Sequence, residues 1–356
     1  MKTIFLESHN INNRAGGLGT FNYELIKGLQ NNDLSGLDIW LNAKKPYELE
    51  AVFGDTFKYH QYKSLQRYPL FRIRKKHDLW HSLNQNTKIE PFKAKNYLLT
   101  VHDVNFMEEC TGEDREAHAK RFRGKLERST AITYISEFAK KQAHSYFSIP
   151  NVPEYIIYNG NPITHLVDTS AYPPNAPVDV PFIYSIGEFH ERKNFLSLVQ
   201  MIAVMPEGIN LIISGNNSHD YGAVIKEHIA KNNLSKRVFL TGKVDDAGKQ
   251  YYMQHCLAFA FPSIREGFGL PPIEAMKFGK PVFLSSHTSL PEIGGDAAYY
   301  WDNFDPEYMR EHFHKCMDNF NADKEMRTAL LKDRADFFSW DKSAATYLSV
   351  YRKLVL

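Results

Sequence analysis

Residues 257–276 read LAFAFPSIREGFGLPPIEAM, and this stretch predicts the fold of the chain. The run LAFAFP is apolar and has the length of a buried β-strand. Two glycines follow, and then Pro271 and Pro272, which suit the first turn of a helix because that turn leaves backbone N–H groups unbonded in any case. A strand, a glycine turn and a helix in direct succession are typical of a parallel α/β sheet.

Two carboxylates flank the glycine turn, Glu266 before it and Glu274 in what we expect to be the first turn of the helix. A glycine loop that leads into a helix presents backbone N–H groups to an anion, typically a phosphate. An ionised carboxylate accepts two hydrogen bonds at once, so Glu274 suits the vicinal hydroxyls of a ribose. Glu266 is placed to accept from hydroxyls of the group that the phosphate carries. The stretch therefore favours a sugar-nucleotide site.

Two other interpretations of the stretch stay open at this point. An ordinary strand-to-helix turn with a negatively charged helix start has the same pattern. A glycosidase also uses two carboxylates, but these normally come from different elements, and one lies in an apolar pocket that raises its pKa. A pair on one glycine-rich loop fits a glycosidase poorly.

The rest of the chain is organised as two α/β halves. Its 356 residues favour two domains over one, and short apolar runs alternate with amphipathic stretches, which predicts parallel sheets covered by helices. Residues 163–181 hold four prolines without helical periodicity and read as a linker. We expect Rossmann-like domains at 1–165 and 166–338, with their ligand-binding edges facing across a cleft. The amphipathic end, residues 339–356, is expected to be a helix that packs back on the first domain.

A candidate diphosphate ligand pair follows the strand that opens the second half. In SIGEFHERKN, residues 185–194, the strand is expected to end at Gly187, and Arg192 and Lys193 come before the next helical stretch. Two adjacent cations at a strand end can clamp a diphosphate and neutralise its charge as it departs. An Arg–Lys pair on the surface is the common alternative.

The first half offers a glycine loop and a strand-end histidine. In NRAGGLGTF, residues 13–21, Gly17 lies among three glycines ahead of a helix that is expected from about Thr20. Their spacing is not that of the dinucleotide fingerprint and no ribose-binding acid is evident, so we interpret the loop as one whose N–H groups face a phosphate or sugar. His102 ends another strand-like run, TVHDVNF, where it would help to manage charge in the cleft.

Composition excludes several classes of protein. The net charge is +2, so the whole molecule is not a polyanion binder and no nucleic-acid partner is expected. No run approaches the ~20 apolar residues that span a bilayer, and the start MKTIFLESHN reads as a strand rather than as a secretory signal. Three scattered cysteines indicate a reducing compartment, and we expect a cytoplasmic protein. No metal-ligating motif occurs, so neither a metal ion nor a cofactor is expected.

One stretch of the first half is strongly basic. Residues 56–77 read TFKYHQYKSLQRYPLFRIRKKH and hold seven lysines and arginines, five aromatic residues and no acid. A solvated surface of helix and loop has this composition, and so does a patch that meets anionic lipid headgroups or a charged acceptor. The second interpretation predicts peripheral contact with an anionic membrane.

Taken in order, these motifs resemble the retaining glycosyltransferases of family 4, which have the GT-B fold of two Rossmann-like domains. The second half carries SIGEFHERKN, VFLTGKV, AFAFPSIREGFGLPPIEAMKFGKPV and SHTSLPEIGGDAAYYWDNFDPE. In the first half HSLNQN, TVHDVNF, YISEFAKK and YNGNP are similar to the bacterial mannosyltransferase branch. The resemblance covers most of the chain, and EGFGLPPIEAM is its most specific part.

The resemblance implies roles for individual residues. Glu274 is expected to bind the nucleotide ribose, Glu266 the hydroxyls of the donor sugar, and Arg192 with Lys193 the diphosphate. Backbone N–H groups are expected to come from Gly17 in the first domain and from four consecutive residues in the second, Gly267, Phe268, Gly269 and Leu270. His102 is expected to contact the sugar or its phosphate. The chain departs from many relatives at Glu188, where they have an arginine, so more of the diphosphate charge falls on Arg192 and Lys193.

The implied activity is transfer of a hexose, with retention of anomeric configuration, to a glycan or lipid-linked acceptor in surface polysaccharide assembly. The branch resemblance favours mannose from GDP-mannose, and UDP-glucose, UDP-galactose or an N-acetylhexosamine donor is the alternative. A phosphorylase would need a cofactor-holding lysine, and none is distinct in the sequence. A non-catalytic sugar-nucleotide binder is a further alternative.

Overall fold

The computed structural model describes residues 1–13 and 16–356. They form two compact units: unit 1 is Met1–Pro162 together with Phe338–Leu356, and unit 2 is Ile163–Phe337. The chain therefore leaves unit 1 once and returns to it before its last helix. Among the residues described, no helix is both long enough and apolar enough to span a membrane.

Unit 1 is built on one parallel sheet. Its strands are β1 (Lys2–Glu7), β2 (Leu37–Ala43), β3 (Lys58–Gln61), β4 (Leu79–Ser82), β5 (Asn96–Val101), β6 (Ala131–Tyr134) and β7 (Glu154–Ile156). The helices between them are α1 (Gly17–Gln30), α2 (Pro46–Phe53), α3 (Phe106–Glu109), α4 (Gly112–Leu126) and α5 (Glu137–Tyr146). The strand order is β3-β2-β1-β4-β5-β6-β7, and each neighbouring pair is parallel.

Unit 2 repeats this plan with a second parallel sheet. Its strands are β8 (Phe182–Ile186), β9 (Asn210–Ser214), β10 (Val238–Gly242), β11 (Ala258–Phe261), β12 (Val282–Ser285) and β13 (Tyr299–Trp301). Its helices are α6 (Phe195–Val204), α7 (Asp220–Lys231), α8 (Asp246–His255), α9 (Leu270–Met276), α10 (Leu290–Gly294), α11 (Pro306–Ala322) and α12 (Lys324–Phe337). The chain ends in α13 (Trp340–Val355), which belongs to unit 1. The strand order of unit 2 is β10-β9-β8-β11-β12-β13.

Both sheets have the doubly wound order, which confirms the predicted pair of Rossmann-like α/β domains. Successive strands are added to one side of the first strand and then to the other. The order reverses between β1 and β4 in unit 1 and between β8 and β11 in unit 2. Ligands of such sheets bind beyond the carboxyl ends of the strands at this reversal.

The strands of unit 2 are apolar throughout because both faces of the sheet are covered. Ile183 and Leu211 belong to one buried cluster, whereas Tyr184, Ile212 and Phe259 belong to the other. Neighbouring residues along a strand point to opposite faces, so a sheet covered on both sides needs continuous apolar runs. This is why the run LAFAFP is readable as a strand.

Three local predictions differ from the structure. β3 and β13 were not predicted, since KYHQ is half exposed at the edge of its sheet and YYW has only three residues. The basic stretch 56–77 forms β3 and two 3-10 turns, Ser64–Arg67 and Pro69–Phe71, rather than a helix with a loop. α1 begins at Gly17, three residues ahead of the predicted start.

The C-terminal helix α13 is joined to the rest of unit 1 by close packing and by a buried hydrogen-bond chain. A Cβ atom at Gly28 of α1 would lie 2.7 Å from the carbonyl oxygen of Trp340, so glycine permits the close approach of the two helices. His81 on β4 lies 2.8 Å from the Tyr351 hydroxyl through Nδ1 and 2.8 Å from Thr100 Oγ1 through Nε2. Burial, with a smaller contribution from His102, lowers the pKa of His81 to about 3, so the ring is neutral at pH 7 and both nitrogens need partners.

We expect Tyr351→Phe to lower the free energy of unfolding by about 1–3 kcal/mol, because it leaves a fully buried ring nitrogen of His81 without a partner. Urea unfolding at pH 7 measures the change. Tyr47→Phe is the matched control, since Tyr47 is 66% exposed and the change should stay within about 0.5 kcal/mol. Equal effects of the two substitutions would contradict the assigned chain.

Candidate functional site

The main candidate site lies in unit 2, where the strand order of the sheet reverses. β8 and β11 are neighbours there, although they lie far apart in the sequence, at Phe182–Ile186 and Ala258–Phe261. Arg192 and Lys193 follow β8 in the 3-10 turn Glu191–Lys193, and Glu266 follows β11. Since the carboxyl ends of neighbouring parallel strands meet at one edge, the fold brings these three residues together.

Glu266 is the centre of this cluster. Its Oε1 lies 2.5 Å from Lys193 Nζ and 3.4 Å from Arg192 Nη1, and it accepts a hydrogen bond of 2.7 Å from Ser263 Oγ. Burial opposes ionisation of the carboxyl, but the attraction of Lys193 and Arg192 outweighs it, and the pKa of Glu266 lies below its ordinary value. The contacts fall on Oε1, and no described residue donates a hydrogen bond to Oε2. The second oxygen therefore has acceptor capacity for a ligand hydroxyl.

The two cations of the cluster are held differently. Lys193 is 8% exposed and its ammonium lies 4.7 Å from the centre of the Phe261 ring. The side chain of Arg192 is 30% exposed, and its Nη1 also donates to the carbonyl oxygen of Arg265 at 3.1 Å. Two cations share one carboxylate, and the guanidinium of Arg192 is partly exposed. Such an arrangement can bind a diphosphate.

The loop after β11 is fixed by two hydroxyl residues from the start of α10. Ser289 Oγ donates to the carbonyl oxygens of Glu266 and Phe268, at 3.0 and 2.8 Å. The backbone N–H of Glu266 donates to Thr288 Oγ1 at 3.1 Å. The loop is therefore held in one shape before any ligand binds, which is the condition for precise orientation of a bound group. Sequence reasoning missed these hydroxyls, because they follow a different strand, β12.

Gly269 is required by the backbone of the turn. Its φ is +106°, which favours glycine, and a Cβ atom there would lie 2.9 Å from Leu290 Cδ2. α9 begins at the next residue, Leu270, while Phe268 is buried and Gly267 is half buried. The predicted sequence of strand, glycine turn and helix is confirmed at this place.

Glu274 lies deeper in α9 than predicted. The helix starts at Leu270, so Glu274 is its fifth residue rather than part of its first turn. The carboxylate is 5% exposed, and its Oε1 lies 2.8 Å from Lys249 Nζ on α8. Burial alone would lower the pKa of Lys249, but the contacts with Glu274 and Asp246 together outweigh burial and raise it. Sequence reasoning missed Lys249, because only tertiary packing brings α8 beside α9.

His102 belongs to unit 1 and follows β5. It is 7% exposed, and its Nε2 lies 2.8 Å from the carbonyl oxygen of Leu83. A carbonyl oxygen only accepts, so Nε2 carries the hydrogen. Burial lowers the pKa of His102 to about 4 in spite of that bond, so the ring is neutral at pH 7 and Nδ1 is an acceptor. This tautomer favours contact with a sugar hydroxyl over contact with a phosphate.

The glycine loop of unit 1 is described only in part, since Arg14 and Ala15 lie outside the described residues. Gly17 is the first residue of α1 and is exposed, and a Cβ atom there would meet nothing within 4 Å. Gly19 differs, because its Cβ would lie 1.9 Å from the carbonyl oxygen of Asn13. Gly17 is therefore open to a ligand, whereas Gly19 serves the local packing.

Two other features bear on the charge of the site in unit 2. Glu188, the departure noted in the sequence, is 3.6 Å from His219 Nε2 and 4.0 Å from Lys243 Nζ rather than in the Glu266 cluster. Within residues 1–13 and 16–356, no group of three or more His, Cys, Asp or Glu side chains is arranged to hold a metal ion.

The chain is similar to known glycosyltransferases. Residues 169–332, within unit 2, match the family model described as Glycosyl transferases group 1. O-antigen chain mannosyltransferase B of Escherichia coli is 26% identical over 283 residues, which cover 74% of this chain and 72% of that protein. Serotype-specific mannosyltransferase WbdA of Escherichia coli is 26% identical over 247 residues, or 65% of this chain. The match spans only 29% of the length of WbdA.

Solved structures share the whole fold. Sucrose-phosphate synthase from Thermosynechococcus elongatus superposes with a TM-score of 0.76 at 20% identity and covers 99% of both chains. Anabaena Alr3699/HepE in complex with UDP-glucose has a TM-score of 0.69 at 15% identity, over 98% of this chain and 100% of that one. At these identities the likeness shows the fold alone.

Two Rossmann-like units with this strand order define an α/β protein of the GT-B fold. With the family match and the curated relatives, the chain is more particularly a glycosyltransferase, and its resemblance to family 4 and to the bacterial mannosyltransferase branch is confirmed.

We expect Lys249→Gln to lower the free energy of unfolding by about 3 kcal/mol, because it leaves the carboxylate of Glu274 buried without its cation. We also expect weaker nucleotide binding, since Glu274 loses the group that orients it. Urea unfolding and calorimetric titration measure the two effects. The control is Lys231→Gln, whose partner Glu227 is 63% exposed, and it should change stability by less than about 1 kcal/mol. If Lys249→Gln changes neither the free energy of unfolding nor nucleotide binding, the pair does not support the site.

Proposed function

We propose that the chain transfers a hexose from a nucleotide-sugar donor to a glycan or lipid-linked acceptor, with retention of anomeric configuration. The favoured donor is GDP-mannose, and the favoured process is assembly of a surface polysaccharide. The observation that carries the proposal is the cluster of Arg192, Lys193 and Glu266 where the strand order of unit 2 reverses. The mannosyltransferase names of the relatives support the choice of sugar and process.

Each residue of unit 2 has a role that follows from its contacts. The partly exposed guanidinium of Arg192 and the ammonium of Lys193 bind the diphosphate and stabilise its charge as the sugar departs. Oε2 of Glu266 accepts a hydrogen bond from a hydroxyl of the donor sugar. Glu274, oriented by Lys249, accepts from the ribose hydroxyls. The backbone from Gly267 to Leu270 approaches the sugar and diphosphate.

Two residues of unit 1 complete the proposed set. Nδ1 of the neutral His102 accepts a hydrogen bond from a sugar hydroxyl, as its tautomer requires. The open backbone at Gly17 approaches the diphosphate.

The proposed reaction is a displacement on the face from which the diphosphate leaves. The departing phosphate oxygen takes the proton of the acceptor hydroxyl, so the protein orients the reactants and stabilises charge without a covalent intermediate. Arg192 and Lys193 supply that charge, and we propose that neither a metal ion nor a cofactor is required. The place of action is the cytoplasm, with peripheral contact at the inner face of the membrane.

A UDP-sugar donor is the alternative within the same fold and chemistry. The complex of Alr3699/HepE with UDP-glucose shows that a protein of this fold binds such a donor. A sugar-nucleotide binder without turnover is the second alternative, and the buried pairing of Glu266 with two cations is compatible with it. Turnover therefore has to be measured.

The test is release of nucleoside diphosphate in EDTA from GDP-mannose, UDP-glucose, UDP-galactose and UDP-N-acetylglucosamine. We expect release of GDP from GDP-mannose, with α-mannose as the first product seen by NMR. Glu266→Gln should reduce the rate by roughly 10²–10³-fold, because it removes a charged contact to the reacting sugar. Glu227→Gln, an exposed glutamate on α7, is the matched control and should leave the rate unchanged.

Three outcomes would change the proposal. Release from a UDP-sugar alone would replace the donor. Binding of donors without any release, with and without candidate acceptors, would favour the non-catalytic binder. Activity that EDTA abolishes and Mg²⁺ restores would contradict the metal-independent reaction.

A further inference from the structure

Unit 1 contains a pocket of about 310 Å³ that is strongly cationic. Six of its lining residues are basic: Arg67, Arg72, Lys88, Lys120, Arg121 and Arg128. They come from the 3-10 turns after β3, from the segment after β4, and from α4 and its end. We call this site the cationic pocket. Its volume is at the lower end of the range for ligand sites.

The one carboxylate that lines the cationic pocket is already neutralised. Glu90 Oε1 lies 2.6 Å from Lys125 Nζ, and Glu90 Oε2 lies 3.0 Å from Arg128 Nη2. The hydroxyl of Tyr97 donates to the same carboxylate at 3.0 Å. Lys125 is completely buried. Glu90 therefore does not cancel the charge of the other cations.

The other five cations of the pocket have no ion pair with any residue in the described ranges. Each lacks a carboxylate oxygen within 4.0 Å, whereas Arg128 has Glu90. Arg121 is only half exposed, and its burial lowers its pKa. Like charges gathered on one concave surface repel each other and focus a positive potential into it. A bound anion with several negative oxygens would relieve that repulsion.

The same turns expose large apolar side chains beside the cationic pocket. Leu65, Tyr68, Leu70 and Phe71 are 54%, 62%, 81% and 52% exposed. Arg67 and Arg72 lie among them in the chain, within residues 64–72. An apolar edge beside an anion site suits an amphiphile, whose phosphate enters the pocket while its hydrocarbon stays at the edge.

We propose that the cationic pocket binds the phosphate groups of a lipid-linked acceptor, with the exposed apolar side chains of residues 64–72 against the lipid part. The proposal rests on the proposed transfer function and names the class of its acceptor. Arginine forks and lysine ammonium groups bind phosphate oxygens through charge-assisted hydrogen bonds. The headgroups of bulk anionic lipids carry the same chemistry, so the test has to separate the two sources.

The test compares two double variants with the same loss of charge. Arg72→Gln with Arg121→Gln removes two cations of the pocket. Arg74→Gln with Lys76→Gln removes two cations that belong to the basic stretch 56–77 but do not line the pocket. Flotation is measured with phosphatidylcholine vesicles that contain either a polyprenyl diphosphate or phosphatidylglycerol, matched in total charge. Competition by inorganic pyrophosphate is measured alongside.

We expect the wild type to prefer the polyprenyl diphosphate vesicles, and pyrophosphate to compete. The pocket variant should lose at least about tenfold in affinity for these vesicles, while the control variant loses much less. Equal losses in the two variants would overturn the proposal in favour of diffuse surface charge. Equal binding of the wild type to both kinds of vesicle would overturn it in favour of bulk headgroups.

Donor hydrolysis without an acceptor separates this inference from the proposed function. The pocket variant should release nucleoside diphosphate from the donor at the wild-type rate, because the pocket lies in unit 1 and takes no part in the donor contacts of unit 2. If the wild type releases none either with or without candidate acceptors, the proposed function fails, while the vesicle comparison still decides whether the pocket binds a lipid-linked diphosphate.

Discussion

Glu266 shares one carboxylate oxygen with Lys193, Arg192 and Ser263, and the arrangement of the site in unit 2 depends on this contact. The cations follow β8 and the carboxylate follows β11, so the contact joins the two segments at the reversal of the strand order. Without Glu266, the buried ammonium of Lys193 would lose an ion-pair partner. Removing one partner of a buried ion pair strongly destabilises a protein, because the remaining charge is left uncompensated. In the proposed function, the second oxygen of Glu266 and the guanidinium of Arg192 contact the donor.

In the proposed function, one set of charges serves both binding and chemistry. In the proposed function the two cations bind the diphosphate, and the loop that carries Glu266 is held by Ser289 and Thr288 before a ligand arrives. Charged groups that are already in place need little reorganisation as charge develops on the leaving diphosphate. His102 in unit 1 is also fixed, because the carbonyl oxygen of Leu83 determines its tautomer.

Local patterns allowed much of unit 2 to be predicted from the sequence. Contacts between distant segments could not be predicted in this way. The strand, glycine turn and helix at 257–276 were readable because glycine, proline and an apolar run act over a few residues. Lys249 was not found, since a lysine in the middle of α8 has no local signal for its pairing with Glu274. The tautomer of His102 was equally inaccessible, because it depends on a carbonyl group 19 residues away.

The basic stretch at 56–77 shows the same limit. Its composition predicted a charged patch, but the structure divides its cations among different environments. Arg72 lines the cationic pocket, Arg74 lies 5.3 Å from the centre of the Phe92 ring, and Lys75 lies 3.4 Å from that of Trp40. Charge counted along the chain therefore does not tell which cations share one ligand.

The most direct test of the central claim is a calorimetric titration of GDP and GMP in EDTA, with the wild type and with Arg192→Gln. If the Glu266 cluster holds the diphosphate, the wild type should bind GDP at least about tenfold more tightly than GMP, and Arg192→Gln should reduce that preference while leaving GMP binding nearly unchanged. Equal affinities of the wild type for GDP and GMP, or a preference that Arg192→Gln does not alter, would contradict the claim.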